Sequence, residues 1–596
     1  MIFLRTSDGP SVQCDLRRTC VHAMVYTVIQ RVAFLLIILL AAACISAEQA
    51  SGQGLQPDNG QRSVRGIVVN SATHEPIGRA LVYSSDNRFA MLTDSEGHFE
   101  FTLPKVDSQS ENSFAVDGQP QRVWSSGNAG GIPALMARKP GFLDDPSQGG
   151  QVETSPGSER TISLMPEALI KGRVILSATD AAIGVNVQIF SRQVQDGIPR
   201  WIPGISVPAN SNGEFRFAEL LPGSYKLVTH ELMDNDPTAT VPGGQLYGFP
   251  PVYYPSATDF AAASTIQLSA GQTFHADISL VRQPYYPVRI PLANGDANTG
   301  LNITVSPQGH HGPGYSLGYN AEKQRIEGLL PNGNYLVEAA MFGPILATGA
   351  VNIAVAGAPF EGPGMTLTGN SSISLHVKEE FTSTDRTVSS SWSNGKRTFS
   401  LHGPRAYLQV SVQSEDDFEA QRGGSLRQPT GPNDDSLVIE NPPPGRYWLR
   451  LSSSRGYVAA ATMGGVDLLH EPLVIAAGSN TPIEITMRDD NAEIDGTVAG
   501  ITAGAMTTST PGWVYCVPLP DSSGQFQLLS VSPEGKFNSP MMEPGTYRVM
   551  ALKNQQPNLP YRDAKAMRAY ETKGQVVHLS AGQKATVQLQ IIPGSE

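Results

Sequence analysis

The sequence predicts an all-β chain, a tandem array of about five β-sandwich domains after an N-terminal signal segment, and three observations carry that prediction. First, an apolar-x-Gly-x-Val motif recurs at Val64-Arg65-Gly66-Ile67-Val68, Ile170-Lys171-Gly172-Arg173-Val174 and Ile494-Asp495-Gly496-Thr497-Val498. Gly66 and Gly172 lie 106 residues apart and Gly496 follows 324 further on, which leaves room for two more copies. Second, a Pro-Gly-x-Tyr or Pro-x-Gly-x-Tyr marker supplies them at Gly223/Tyr225, Gly333/Tyr335, Gly445/Tyr447 and Gly545/Tyr547, at spacings of 110, 112 and 100. Third, side chains within the repeats alternate with a period of two, as in His98-Phe99-Glu100-Phe101-Thr102-Leu103, which sets Phe99, Phe101 and Leu103 toward a core.

The chain begins with material that is not part of this array. Val32 to Ala47 is an apolar run with Arg31 before it and small residues at its end, the form of an export signal and short for a membrane span. Met1 to His22 does not resemble a compact basic leader, so Met24, followed by Val25 to Arg31, is the alternative start. Signal peptidase cleavage after Ala47 is one outcome. Ala41-Ala42-Ala43-Cys44 also resembles a lipobox, in which Cys44 is the lipidated residue and the chain gains a lipid anchor. Loss of residues 1–47 moves the formal charge from −12 to −14 and leaves Cys516 as a lone cysteine, so stability rests on packing and not on an intrachain disulfide.

The expected order is a signal segment over 1–47, a linker over 48–62, and sandwiches over 63–166, 167–283, 284–369, 370–489 and 490–596. Turn residues punctuate each: Thr93 to Gly97, Asn212-Gly213 and Pro533 to Gly535 precede equivalent Phe-containing strands. Leu268-Ser269-Ala270-Gly271-Gln272 returns letter for letter at Leu579 to Gln583, with variants at Ala356-Gly357 and Ala477-Gly478. Lys105 to Gly131 and Asp144 to Arg160 are polar loops of the first unit, and Asp385 to Lys396 is an insertion in the fourth. The mature chain shows no long helical period.

Composition narrows the function. There are 59 glycines and 45 prolines in 596 residues, and only 16% of residues are charged. This favours turns and excludes coiled coils and helical solenoids. A net charge of −12 lacks the clustered cations that a nucleic-acid surface needs. A single apolar run excludes a polytopic membrane protein, and the mature chain is expected to carry no transmembrane domain.

Gly66 to Asn70, Glu75-Pro76-Ile77-Gly78-Arg79-Ala80-Leu81-Val82 and Thr93 to Phe101 together resemble the carboxypeptidase regulatory-like domain, a module similar to transthyretin and the Cna B-type repeats. The likeness extends to the second and fifth units through Gly172, Gly213, Phe215, Phe217 and Pro222 to Tyr225, and is diffuse in the third and fourth. It implies prealbumin-like or immunoglobulin-like Greek-key sandwiches of a superfamily described as carbohydrate-binding-like, found in secreted bacterial arrays.

Catalytic motifs lack their context. Gly314-Tyr315-Ser316-Leu317-Gly318 has the letters of a nucleophile elbow but β-like flanks in place of strand, turn and helix. His74-Glu75, His230-Glu231 and His470-Glu471 lack the partner spacing of a zinc peptidase, and the resembled module accompanies such peptidases without being the catalyst. Asp416-Asp417, Asp434-Asp435 and Asp489-Asp490 follow no calcium-loop spacing. Lys171 and Asp277 on the first and last strands of unit two are placed as in a cross-linking sandwich, but Glu231 departs from the usual position of the assisting acid. No catalytic residue, metal or cofactor is therefore assigned.

The best binding candidates are aromatic. Tyr247, Phe249, Tyr253 and Tyr254 lie in a Pro-stiffened loop from Tyr247 to Pro255 that suits stacking on sugars or docking a peptide, although capping of an open sandwich core is the favoured reading of the same rings. Trp124 and Trp392 lie in polar insertions, and Trp448 follows Tyr447 so that one ring faces in and the other out. The expected function is that of an exported, non-enzymatic interaction or adhesion scaffold in the periplasm, at the outer-membrane surface or outside the cell, with a protein or polysaccharide partner. Carbohydrate binding through the loop aromatics is the alternative.

Overall fold

The computed structural model describes residues 62–592, leaving out 86–88, 104–114, 117–118, 121–131, 147–151, 155–158, 177–183, 235–243, 295–299, 309–313, 343–345, 383–387, 394–395, 417–422, 432–433, 480, 502–511, 520–524 and 557. The signal segment, Cys44, Trp124 and His310-His311 lie outside the described residues, as does the side chain of Trp392.

Strands dominate, and their pairing repeats. The strand Arg62–Asn70 pairs antiparallel with His98–Leu103 and parallel with Arg160–Pro166. The same order recurs for Ala168–Leu176 between Glu214–Leu220 and the pair Thr273–His275 and Ile278–Leu280. It recurs again for Gln283–Ala293 with Arg325–Pro331 and Phe360–Glu361, for Ile373–Glu380 with Val438–Ile439 and Ile483–Arg488, and for Ala492–Ala499 with Lys536–Met542 and Lys584–Ile592. A second layer faces these strands, such as the antiparallel sheet in which Asn186–Gln195 pairs with Ile198–Pro208 and Gly223–Thr229; in the last repeat the layers join, because Lys584–Ile592 pairs with both Ala492–Ala499 and Gly545–Leu552. Alternating side chains from the two layers make the apolar cores; one holds Val187, Ile189, Phe215, Phe217 and Leu227. The fold is an all-β array of sandwiches.

The repeated motifs have physical causes. Gly66, Gly172 and Gly496 stand opposite Phe99, Phe215 and Phe537 in register. A Cβ there would meet the neighbouring carbonyl of Arg160, Ala276 or Val587 at 2.3, 1.8 or 2.0 Å and also touch the phenylalanine ring. The glycine lets the ring lie flat over the backbone, a known compensation for Gly within a sheet. The tyrosines of the Pro-Gly marker bend back to the chain that leads into them. Their hydroxyls donate to a carbonyl four residues earlier: Tyr225 to Leu221 at 2.6 Å, Tyr335 to Pro331 at 3.0 Å, Tyr447 to Pro443 at 2.8 Å and Tyr547 to Glu543 at 2.7 Å. Each is a tyrosine corner that pins the loop to the strand.

Two strands of this kind are buried on both faces. On Gly223–Thr229 the outer face carries Lys226 and Val228 beneath Phe190, Trp201, Tyr253 and Phe260. Lys226 is 6% exposed; its Nζ donates to the Phe260 carbonyl at 2.6 Å and sits 4.3 Å from that ring. On Gly545–Leu552 the outer face carries Met550 and Leu552, covered by Leu559 and Met567 from residues 553–574. This cover holds the short helix Ala564–Met567, capped by the Asp563 carboxylate. Among the described residues no helix is long and apolar enough to cross a membrane.

Candidate functional site

The hairpin Asn186–Gln195 / Ile198–Pro208 turns at Asp196-Gly197, where φ is 49° and 74°. Two left-handed residues make the tight turn that matches the twist of the strands, and Asp-Gly is a favoured pair for it. Gly197 is needed twice over, because a Cβ there would also lie 2.6 Å from the Tyr561 ring. The tip docks on two other parts of the chain. The Asp196 carboxylate pairs with Arg450, pairs with Arg562 at 3.0 Å, and accepts the Tyr561 hydroxyl. The Arg562 N–H donates to the Gly197 carbonyl at 3.0 Å, and the Gln413 amide donates to Gln195 at 3.1 Å. Arg200, 1% exposed, donates to the Ser414 carbonyl at 2.7 Å. Burial, with Arg562 alongside, pulls the Arg450 guanidinium down to about 10, still cationic at neutral pH. This clasp ties the hairpin to the strands Leu408–Ser414 and Gly445–Ser453 and to Tyr561 and Arg562.

Behind the clasp lies a cavity of 1040 Å³. Its floor is the outward face of the sheet that pairs Leu408–Ser414 with Gly445–Ser453, where Gln409, Ser411, Trp448 and Arg450 alternate with core residues. Its opposite wall comes from Phe526, Arg548, Tyr561 and Arg562, and Asp196 stands at its edge. Phe526 and Tyr561 stack at 4.0 Å and 7°. The expected split of Tyr447 and Trp448 is present: Tyr447 is in the core and Trp448 lines the cavity.

The four loop aromatics lie away from this cavity. Phe249 (2% exposed) belongs to the core that holds Val187, Phe215 and Leu227, with Tyr254 packed on it. Tyr253 (4% exposed) belongs to the cluster over Lys226, edge-on to Phe260 at 5.8 Å. Tyr247 is half-buried beneath the Arg282 guanidinium at 4.2 Å. Leu246–Phe249 also pairs with the start of Gln283–Ala293, joining neighbouring stretches in one sheet. Ser316 is followed by the strand Leu317–Asn320, with no helix after it, and its N–H donates to Glu231 at 3.3 Å. Lys171 and Asp277 are both exposed, and Asp277 accepts the Arg173 N–H. Among the described residues no three His, Cys, Asp or Glu side chains gather as a metal site.

The clasp has no local signature in the sequence. Asp196-Gly197 between alternating strands signals a hairpin, but nothing local indicates that its tip meets Arg450 and Tyr561, more than 250 residues away in the first case.

No family model matches the chain, and no curated protein matches it. Among solved structures, similar chains include the Bacillus anthracis TIE protein, at 10% identity over 71% of this chain and 73% of that one, with a TM-score of 0.13. A streptococcal ancillary pilin aligns at 12% identity over 51% and 99%, with a TM-score of 0.17. BcpA, the major pilin subunit of Bacillus cereus, aligns at 10% over 54% and 99%, with a TM-score of 0.12. With TM-scores this low, the fold rests on the sheet pairing described above.

Proposed function

We propose that the chain is an exported, non-enzymatic scaffold that works at the cell envelope or outside the cell by holding a protein or polysaccharide partner. In this reading it consists of sandwich domains over 63–166, 167–283, 284–369, 370–489 and 490–596, the first of carboxypeptidase regulatory-like type. The observation that carries the reading is the clasp. A hairpin reaching across more than two hundred residues of sequence to fix two other sandwiches turns flexible beads into a frame with a shaped cavity. Such a frame presents a surface at fixed geometry, which is what a binding scaffold requires. The test is retention of the purified full chain on isolated cell envelopes and extracellular polysaccharides, with product analysis on the same samples. Saturable retention without bond cleavage supports the reading, and turnover of any component overturns it.

A further inference from the structure

We propose that the cavity behind the clasp binds an acidic oligosaccharide whose sugar rings bear carboxylates; this rests on the scaffold reading and names what the frame holds. The argument begins with Arg548. It lines the cavity from the strand Gly545–Leu552, and its Nε is buried with no acceptor. Among the described residues no carboxylate pairs with it, and Glu571, which also lines the cavity, is not its partner. Arg450 and Arg562 differ because both are held by Asp196. A guanidinium on a cavity wall with no carboxylate beside it suits an anionic ligand, because its planar N–H groups match a carboxylate held by two hydrogen bonds.

The rest of the lining sets the kind of anion. Trp448 offers an aromatic ring from the sheet floor, a surface for the C–H face of a sugar. Around it the side chains of Gln409, Ser411, Gln428 and Ser452 make no hydrogen bond to protein among the described residues and are free for ligand hydroxyls. An unpaired guanidinium, aromatic rings and a floor of uncommitted amides and hydroxyls match a polyhydroxylated anion. An acidic peptide would satisfy the cation and leave the hydroxyl-binding floor unmatched. The volume falls at the upper end of that for small-ligand sites and suits a short oligomer.

The experiment is calorimetric titration of the full chain with trigalacturonate as the acidic probe, the neutral galactose trimer as its control and hexaglutamate as the peptide probe. Saturable binding of trigalacturonate is expected, with the neutral trimer and the peptide each at least about tenfold weaker. Arg548→Ala and Trp448→Ala should each weaken it about tenfold or more, and Arg548→Lys, which keeps charge but loses the fork, should recover only part. Circular dichroism and Tm establish that each variant is folded, and the two sites stand in for one another if either variant fails to fold. Absence of trigalacturonate binding, binding unchanged in both variants, or hexaglutamate binding as tight as the sugar overturns the proposal. Envelope retention that persists without trigalacturonate binding leaves the scaffold standing while this proposal falls, whereas cleavage of the trimer removes the scaffold reading itself.

Discussion

Replacing Glu231 by Gln should remove a loss of stability that the native chain suffers as pH rises. Glu231 faces Ser316, Tyr285, Tyr315 and Tyr335. Burial pushes its carboxyl up from 4.5 to about 7, and the nearby Tyr285 hydroxyl and the Ser316 N–H offset only part of that. The folded form therefore binds the proton more tightly than the unfolded form, which costs nothing below pH 4.5. Stability falls as pH rises from there through 7. At about 1.4 kcal/mol per pH unit, the span from 4.5 to about 7 corresponds to about 3 kcal/mol at most. Gln keeps the shape without the charge. Half-buried His230 lies nearby with its pKa lowered by burial, so its contribution grows with pH and opposes that of Glu231. Comparing Glu231→Gln with the native chain cancels the histidine. Urea unfolding between pH 5 and pH 8, followed by hydrogen exchange in peptides spanning 231–249 and 314–320, should show the two curves close at pH 5 and the Gln variant more stable at pH 8. Parallel curves across that range would refute the reasoning.

Four further outcomes are expected. Gly172→Ala places a methyl group 1.8 Å from the Ala276 carbonyl and against Phe215, and should cost about 2 kcal/mol or more in chemical denaturation. Tyr447→Phe deletes the 2.8 Å bond to Pro443 and leaves a carbonyl unpaired, a loss of about 1 kcal/mol readable as a lower Tm. Asp196→Ala strands Arg450 and Arg562, and Gly197→Val collides with Tyr561; each should open the clasp and raise the radius of gyration measured by small-angle scattering, with the sheets intact by circular dichroism. Cys516, fully buried with its thiol pushed up to about 12, should resist thiol reagents in the folded chain and react after denaturation.

The sandwich fold was legible because its signals are local. Gly172 and Phe215 are visible as motifs, and the turn at Gly213 marks the start of the Phe215 strand, but their pairing in register is long-range and shows only in the fold. The Pro-Gly-x-Tyr repeats likewise mark real corners, although sequence does not say that the hydroxyl turns back to the carbonyl four residues earlier. The candidate site was less legible. Tyr253 and Phe249 stand out in an aromatic, proline-rich loop, and only the fold shows that Tyr253 covers Val228 and Lys226 while Phe249 fills the sandwich core. Arg548 carries no sequence signal at all, since a single arginine in a strand reads as a solvent-facing residue until the cover of residues 553–574 is folded beside it.

The parallel contact between the first and last strands, as in Gly66 to Asn70 beside Arg160 to Leu164 and in Glu493 to Ala499 beside Lys584 to Gln590, has a mechanical consequence. A pull on the two ends of such a unit drags its outermost strands past one another along their length. The slanted hydrogen bonds of a parallel ladder then carry the load together and do not peel open one at a time. A chain assembled from such contacts resists tension along its axis while yielding easily to a sideways tug, so its toughness depends on where it is held.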